Sequence, residues 1–297
     1  VKFYPDRWKE ISLRWLENIR DWNISRQLWW GHKIPIEGES DVLDTWFSSA
    51  LWPFAVLGWP EKTSDLSEYY PTNFITSDRG IVFLWQIRMI FSGKFFTDKA
   101  PFKDIYIHPT VLLKDGKRMS KSLGTGIDPV ILIEKYGTDA LRFGLAYQNT
   151  GVQDMKFNED VILTGKKFAN KIWNIARYVL IKIGDEEKDI KQSPIDLKSE
   201  IMAKMDATAI SIKRNIENYN FGEAAHTLYK FIWNEFADKY IEETKNKDDN
   251  EIKDSLIYVL ANSLKLLHPF MPFVTEEIWS KLPIKNKKML LVEEWPK

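Results

Sequence analysis

From Asn158 onward, the 297-residue sequence offers nothing but helical periodicity. The stretch 158–183 places Ile162, Phe168, Ile172, Ile175 and Val179 on one face and stops at Gly184. Further stretches over 197–218, 221–243 and 251–267 follow, broken by Ser193-Pro194 and by the polar run 245–250. Helices of this length with short connections bury their faces against one another, as an antiparallel bundle. The first half reads differently. Strand-like runs at 70–76 and 101–108 flank an apolar helical run over 81–91, with the turn residues Ser77-Asp78-Arg79-Gly80 between. In an open α/β sheet, ligands sit at such strand-to-helix crossings. The expected fold class is α/β followed by all-α.

Composition narrows the function. Lysine plus arginine equal aspartate plus glutamate at 42 each, so RNA binding has to come from local patches and shape. With no cysteine there are no disulfides and no thiolate zinc sites. No apolar run reaches about 18 residues and the first residues do not read as a signal peptide, so a soluble chain is expected. The thirteen tryptophans crowd the first half and suit aromatic-lined clefts. Trp8, Ile11, Trp15, Ile19 and Trp22 recur at three- or four-residue steps and predict an amphipathic helix near the start. His32, in a run of polar and aromatic residues, is expected to be a packed, hydrogen-bonded ring rather than a ligand.

The loop Gly116-Lys117-Arg118-Met119-Ser120-Lys121-Ser122-Leu123-Gly124 carries the chemistry. It follows an Asp115-Gly116 turn signal and precedes a helix with Asp128 as N-cap, Pro129 at its first position and Gly137 as its stop. Cations and small hydroxyls on a glycine-bounded loop suit a triphosphate. The hydroxyls donate hydrogen bonds, and the cations offset charge that builds as a phosphoryl bond breaks.

Arg118-Met119-Ser120-Lys121-Ser122 resembles the Lys-Met-Ser-Lys-Ser signature of class I aminoacyl-tRNA synthetases, with Arg118 replacing the first lysine. Three further segments carry the same resemblance; the first two point to the valyl branch, and the third resembles the end-of-bundle motif of valyl-, leucyl- and isoleucyl-type anticodon domains. They are the run from Ile24 to Pro35, the run Asp41-Val42-Leu43-Asp44-Thr45-Trp46-Phe47-Ser48-Ser49-Ala50, and Leu267-His268-Pro269-Phe270-Met271-Pro272 near the end of the bundle. Thr45 and Ser48-Ser49-Ala50 speak against the isoleucyl branch. The resemblance implies the second half of a Rossmann-like nucleotide-binding catalytic domain (1–127), a stem-contact segment (128–158) and a helical-bundle anticodon-binding domain (159–297).

It also implies site residues. Lys121, Arg118, Ser120 and Ser122 would act on the ATP phosphates, and Met119, His108, Val111 and Asp78 would lie around the rest of ATP. Trp46 and Ile81 would wall the pocket for valine. An aliphatic side chain is held by shape and dispersion alone, so a rigid indole suits that task. Asp78 stands where relatives have glycine, and Gly80 where they have the aspartate near the ribose. Lys166, Lys167, Lys171 and Arg177 would meet tRNA, unless they are simply a solvated helix face. Magnesium would accompany ATP, and no protein-bound metal is expected.

Departures from the family are equally definite. No His-Ile-Gly-His-type motif and no editing-domain segment occurs, and the junction 35–41 joins two family-like stretches where relatives carry a longer loop. The expectation is therefore a cytoplasmic monomer that is incomplete alone. It would act on valine, ATP and tRNA(Val) with the missing N-terminal half of the enzyme. The alternative is a tRNA-binding module whose signature loop is vestigial.

Overall fold

The computed structural model describes residues 1–120, 123–149, 151, 154–184 and 200–296. The chain divides into two compact units, Val1–Thr110 and Val111–Lys297.

In the first unit, β1 (Lys2–Tyr4), β5 (Phe102–His108) and β4 (Thr72–Asp78) form a parallel sheet in the order β1-β5-β4. β5 is central, and its consecutive Ile105, Tyr106 and Ile107 are all buried, as expected of a strand covered on both faces. The core also contains Phe3, Val82, Ile87, Met89 and Phe102. Helix α1 (Arg7–Glu17) is shorter than its periodicity suggests, because the Asn18 side chain donates to the carbonyl of Arg14 at 2.8 Å and ends it. Ile11 and Ile19 are exposed, and Trp22 leaves the helical face to bond elsewhere. A short antiparallel pair, β2 (Ser25–Arg26) and β3 (Val42–Leu43), leads into α2 (Thr45–Ala55). After α3 (Ser64–Tyr69), β4 runs two residues beyond its expected end, and the chain turns at Arg79–Ile81. A π-helical stretch, Val82–Gln86, then feeds α4 (Ile87–Thr97).

The junction at 35–41 closes on itself. Lys33 bridges Val42, the Ile34 amide donates to the Asp41 carbonyl at 3.1 Å, and Gly38 turns the chain at φ +81°. His32 is not the packed ring expected of it. It is exposed on this hairpin, and its carbonyl accepts from the Leu43 amide at 2.8 Å.

The second unit opens with β6 (Val111–Leu112), paired in parallel with β7 (Met155–Lys156). Helices α5 (Pro129–Tyr136) and α6 (Thr138–Gln148) follow. The side chain of Asp128 caps α5 through the Val130 amide at 2.8 Å, and Gly137 ends it at φ +94°, as its sequence signals require. The bundle consists of α7 (Glu159–Ile183), α8 (Glu200–Glu217), α9 (Phe221–Lys230) continued by a π-helical stretch over Phe231–Ile241 and the short α10 (Glu242–Thr244), and α11 (Asn250–Leu267). Asn158 caps α7 and Gly184 terminates it. One core unites these helices with α12 (Pro272–Lys281), including Phe168, Ile172, Leu228, Phe236, Leu260 and Trp279. Helix α6 packs into the same body. Asp139, nearly buried, accepts from the amides of Phe273 at 3.2 Å and Val274 at 2.6 Å, so an acidic group of α6 caps the positive start of α12.

The end of α12 is closed by Lys287, whose ammonium donates to the carbonyls of Trp279 at 3.0 Å and Ser280 at 2.7 Å and also to that of Leu282. Burial nevertheless pulls its pKa below the ordinary value, so desolvation offsets part of the gain. Replacing Lys287 with methionine strands these carbonyls and is expected to cost about 1–2 kcal/mol, read from urea unfolding. An unchanged midpoint would show that water serves the helix end equally well.

Candidate functional site

Each unit carries part of the expected site. In the first, parallel pairing brings Asp78 and His108 side by side at the carboxyl ends of β4 and β5, the position where open α/β sheets hold ligands. Asp78 is already engaged. One carboxylate oxygen accepts from the Gly80 amide at 2.6 Å, and the other from the Thr110 hydroxyl at 2.7 Å. The carboxylate thus shapes the turn at which Gly80 replaces a longer side chain. The His108 ring is half-buried, with Nδ1 3.1 Å from the carbonyl of Pro109.

Trp46 lies in the first turn of α2, half-buried. Asp44 precedes the helix and its side chain caps it, accepting from the Trp46 amide at 3.3 Å. The other oxygen of the same carboxylate accepts from Trp22 Nε1 at 2.8 Å and Arg26 Nη2 at 2.9 Å, and lies 3.7 Å from Arg88 Nη1. Arg88 also stands over the Trp22 ring, 3.6 Å from its centroid. Burial lowers the pKa of the Arg88 guanidinium, and Asp44 opposes that shift. One turn further along α2, the Ser49 carbonyl accepts from Trp85 Nε1 at 3.1 Å. Trp85 follows Ile81 by four residues, so the chain segment that carries Ile81 meets α2 through Trp85.

A hollow of about 250 Å³ lies beside β4, lined by Trp52, Val56, Ile75, Trp85 and Met89 among others. Trp85 reaches it, whereas Trp46 and Ile81 are not among its lining residues. Sequence reading passed over Trp85, Thr110 and Asp44. Trp85 was open to discovery through its i+4 spacing from Ile81. The other two act through partners distant in sequence.

In the second unit the signature loop has a built base. Leu112 bridges Arg118, the Leu113 amide donates to the Lys117 carbonyl at 2.9 Å, and Gly116 turns at φ +86°. The far side is closed as well. The Ser120 amide donates to Thr125 Oγ1 at 2.9 Å, and the Thr125 amide returns to the Ser120 carbonyl at 3.1 Å. Arg118 is exposed, while Met119, Ser120 and Val111 are half-buried. Lys121 and Ser122 lie outside the described residues.

On α7 the four expected RNA-facing cations are not equivalent. Lys166 donates to the Lys135 carbonyl at 3.2 Å, and Lys171 pairs with Asp238 at 2.7 Å while standing over Trp233. Lys167 and Arg177 are exposed. Among the described residues, no three His, Asp or Glu side chains converge to hold a metal ion.

Comparison with known proteins agrees over the whole chain. The family described as tRNA synthetases class I (I, L, M and V) matches residues 1–37 and 36–158, and the anticodon-binding domain of tRNA ligase matches 198–297. The valine–tRNA ligase of Petrotoga mobilis is 44% identical over 333 aligned positions, and that of Fervidobacterium nodosum is 46% identical over 329. Both alignments take in all of this chain but 38% of the relative, so the chain spans well under half the length of these relatives. Against 297 residues, 333 positions leave 36 without a counterpart here, and the family match breaks at 36–37, within the short hairpin. Among solved structures, a Mycobacterium tuberculosis methionyl-tRNA synthetase in complex with methionyl-adenylate has a TM-score of 0.77 at 20% identity, covering 93% of this chain and 57% of that one. The LeuRS–tRNA–LeuAMS ternary complex of Agrobacterium radiobacter K84 scores 0.73 at 20% identity, covering 89% and 34%. At these identities the structures speak to fold alone.

Proposed function

Because the chain belongs to the class I tRNA synthetases of the isoleucine, leucine, methionine and valine group, we propose that it serves valine–tRNA ligation as the second half of the catalytic fold, a stem-contact segment and an anticodon-binding bundle. The divisions fall at 1–127, 128–158 and 159–297. The observation that carries this reading is 44–46% identity, along every residue, to relatives named valine–tRNA ligases. Valine and ATP form valyl-adenylate and pyrophosphate, and the valyl group then passes to tRNA(Val). Such chemistry rests on positioning and charge stabilisation.

Lys121, Arg118, Ser120 and Ser122 act on the phosphates, and Met119, Val111, His108 and Asp78 flank the nucleotide. Trp46 and Ile81 hold the isopropyl group. Magnesium accompanies ATP, held by its phosphates. The chain acts as a cytoplasmic monomer together with a segment equivalent to the N-terminal part of its relatives.

The test is valine-dependent ATP–pyrophosphate exchange by the chain alone and with the complementary part of the Petrotoga relative. Exchange is expected only in the mixture. Exchange by the chain alone above a Lys121→Ala control, or none in a mixture whose tRNA binding is intact and indifferent to Lys121→Ala, would overturn the reading; the second result favours an RNA-binding module.

Filter binding of tRNA against salt separates the cations of α7. Lys167→Ala and Arg177→Ala are each expected to lower the slope of log K against log salt by about one, because each removes a phosphate contact. Lys171→Ala should change it less, since Asp238 already neutralises that ammonium. Slopes unchanged from the unmodified chain in all three would leave this face merely solvated.

A further inference from the structure

Trp46 sits between two cross-links that join α2 to the segment carrying Ile81. On one side, Asp44 meets Arg88; on the other, the Ser49 carbonyl meets Trp85 Nε1 at 3.1 Å. Trp85 and Arg88 are three residues apart on one helical face, and Asp44 and Ser49 bracket Trp46. A third element enters through Trp22 and Arg26, both bonded to the same carboxylate oxygen as Arg88 approaches. The Asp44 amide donates to the Ile24 carbonyl at 2.7 Å, so the backbone is pinned where the side chain is.

Stability alone does not account for this knot. The Asp44 side chain is 8% exposed and that of Arg88 is 12%, yet their closest approach is 3.7 Å. Nη1 of Arg88 is buried without a hydrogen bond. A buried charge pair of such geometry gains little over apolar residues of the same volume. What it does fix is direction. Asp44 defines the first turn of α2 through the Trp46 amide, and its charge can satisfy Trp22, Arg26 and Arg88 together from one orientation only.

We propose that Asp44 and Arg88 are positioning residues for the amino-acid pocket, setting the Trp46 indole against the Ile81 segment so that its wall fits the branched three-carbon side chain of valine and rejects one a methylene longer. This rests on the valine-pocket reading above. A wall that discriminates by a single methylene works only if held to fractions of an ångström, because one methylene is worth only about 10–200-fold.

The test is fluorine NMR of the full chain carrying 5-fluorotryptophan, with the Trp46 line assigned through Trp46→Phe. Arg88→Met keeps the apolar stem and removes the charge; Asp44→Asn keeps a capping oxygen and removes the charge; Ile105→Val is a core control in the same unit. Both charge variants are expected to split or broaden the Trp46 line in the free protein, with Trp279 unchanged as a folding marker and the Ile105→Val line at its original place. Arg88→Lys should partly restore it. Valine titration should then show about tenfold weaker binding in Arg88→Met, with the preference over isoleucine narrowed. An unchanged Trp46 line in both charge variants, or equal disturbance by Ile105→Val, overturns the positioning role. Should valine fail to move Trp46 in the unmodified chain, the pocket reading fails instead, and the line shapes of the free proteins still decide the positioning role.

Discussion

Gly222→Ala is expected to destabilise the helical unit by about 3 kcal/mol and to lower its melting temperature by about 6–12 °C. A methyl group on Gly222 would stand 1.9 Å from the Asn149 carbonyl oxygen and 2.8 Å from its carbon. Both are backbone atoms, so no side-chain rotation makes room. Helix α9 has to move away from the end of α6 by about an ångström or more. Alanine favours a helix over glycine by about 1 kcal/mol, too little to reverse the sign. Gly165→Ala should follow with a smaller loss, its methyl lying 2.5 Å from the Ala140 carbonyl oxygen where α7 crosses α6. Gly126, with nothing within 4 Å, is the neutral control. Circular dichroism melting compares all three. A Gly222→Ala transition within about 0.5 kcal/mol of the unmodified protein would mean that the two helix ends are free to slide. These glycines matter beyond stability. They let α6 approach the bundle closely enough for Asp139 to cap α12, tying α6 to the start of α12.

Local signals in the sequence were sufficient wherever the physics was local. Asn158, Gly184, Asp128, Pro129 and Gly137 mark helix ends because each satisfies or terminates backbone groups within its own turn. The second unit, nearly all helix, was therefore readable in advance. β1 was not. Three residues at Lys2–Tyr4 become a strand only because Asp104, Ile105 and Tyr106, a hundred positions later, pair with them. The overrun of α1 has the same origin. Trp22 continues the helical spacing, but its indole N–H belongs to Asp44. Trp46 and the signature loop stood out in the sequence as residue types suited to a task. Asp44 carries no such local signal, because its meaning lies in donors drawn from separate stretches, Trp22, Arg26 and Arg88. His32 shows the converse error. A histidine among tryptophans suggests a packed ring, yet the short hairpin leaves Trp29 90% exposed and the histidine exposed beside it.

Lys121→Ala is expected to reduce valine-dependent ATP–pyrophosphate exchange in the supplemented chain by about 10²–10³-fold, the usual cost of removing one preorganised group from a developing charge. The loss should fall on kcat more than on the KM for ATP. A cation that meets charge only as the phosphoryl bond breaks contributes to the transition state and little to the ground state. Folding is tested separately, since the described flanks of the loop are held by other residues. Leu112 and Arg118 pair at its base; the Ser120 amide donates to Thr125 Oγ1, and the Thr125 amide donates to the Ser120 carbonyl. Melting of Lys121→Ala should accordingly match the unmodified protein. Arg118→Lys makes the complementary comparison. Arginine presents a planar fork where relatives offer a point charge, so lysine there should change exchange by less than about tenfold if charge alone is needed. Equal kcat for Lys121→Ala and the unmodified chain, in a mixture that exchanges, would remove the loop from the chemistry. A fall confined to the KM for ATP would leave Lys121 as a ground-state anchor, with transition-state charge stabilised elsewhere.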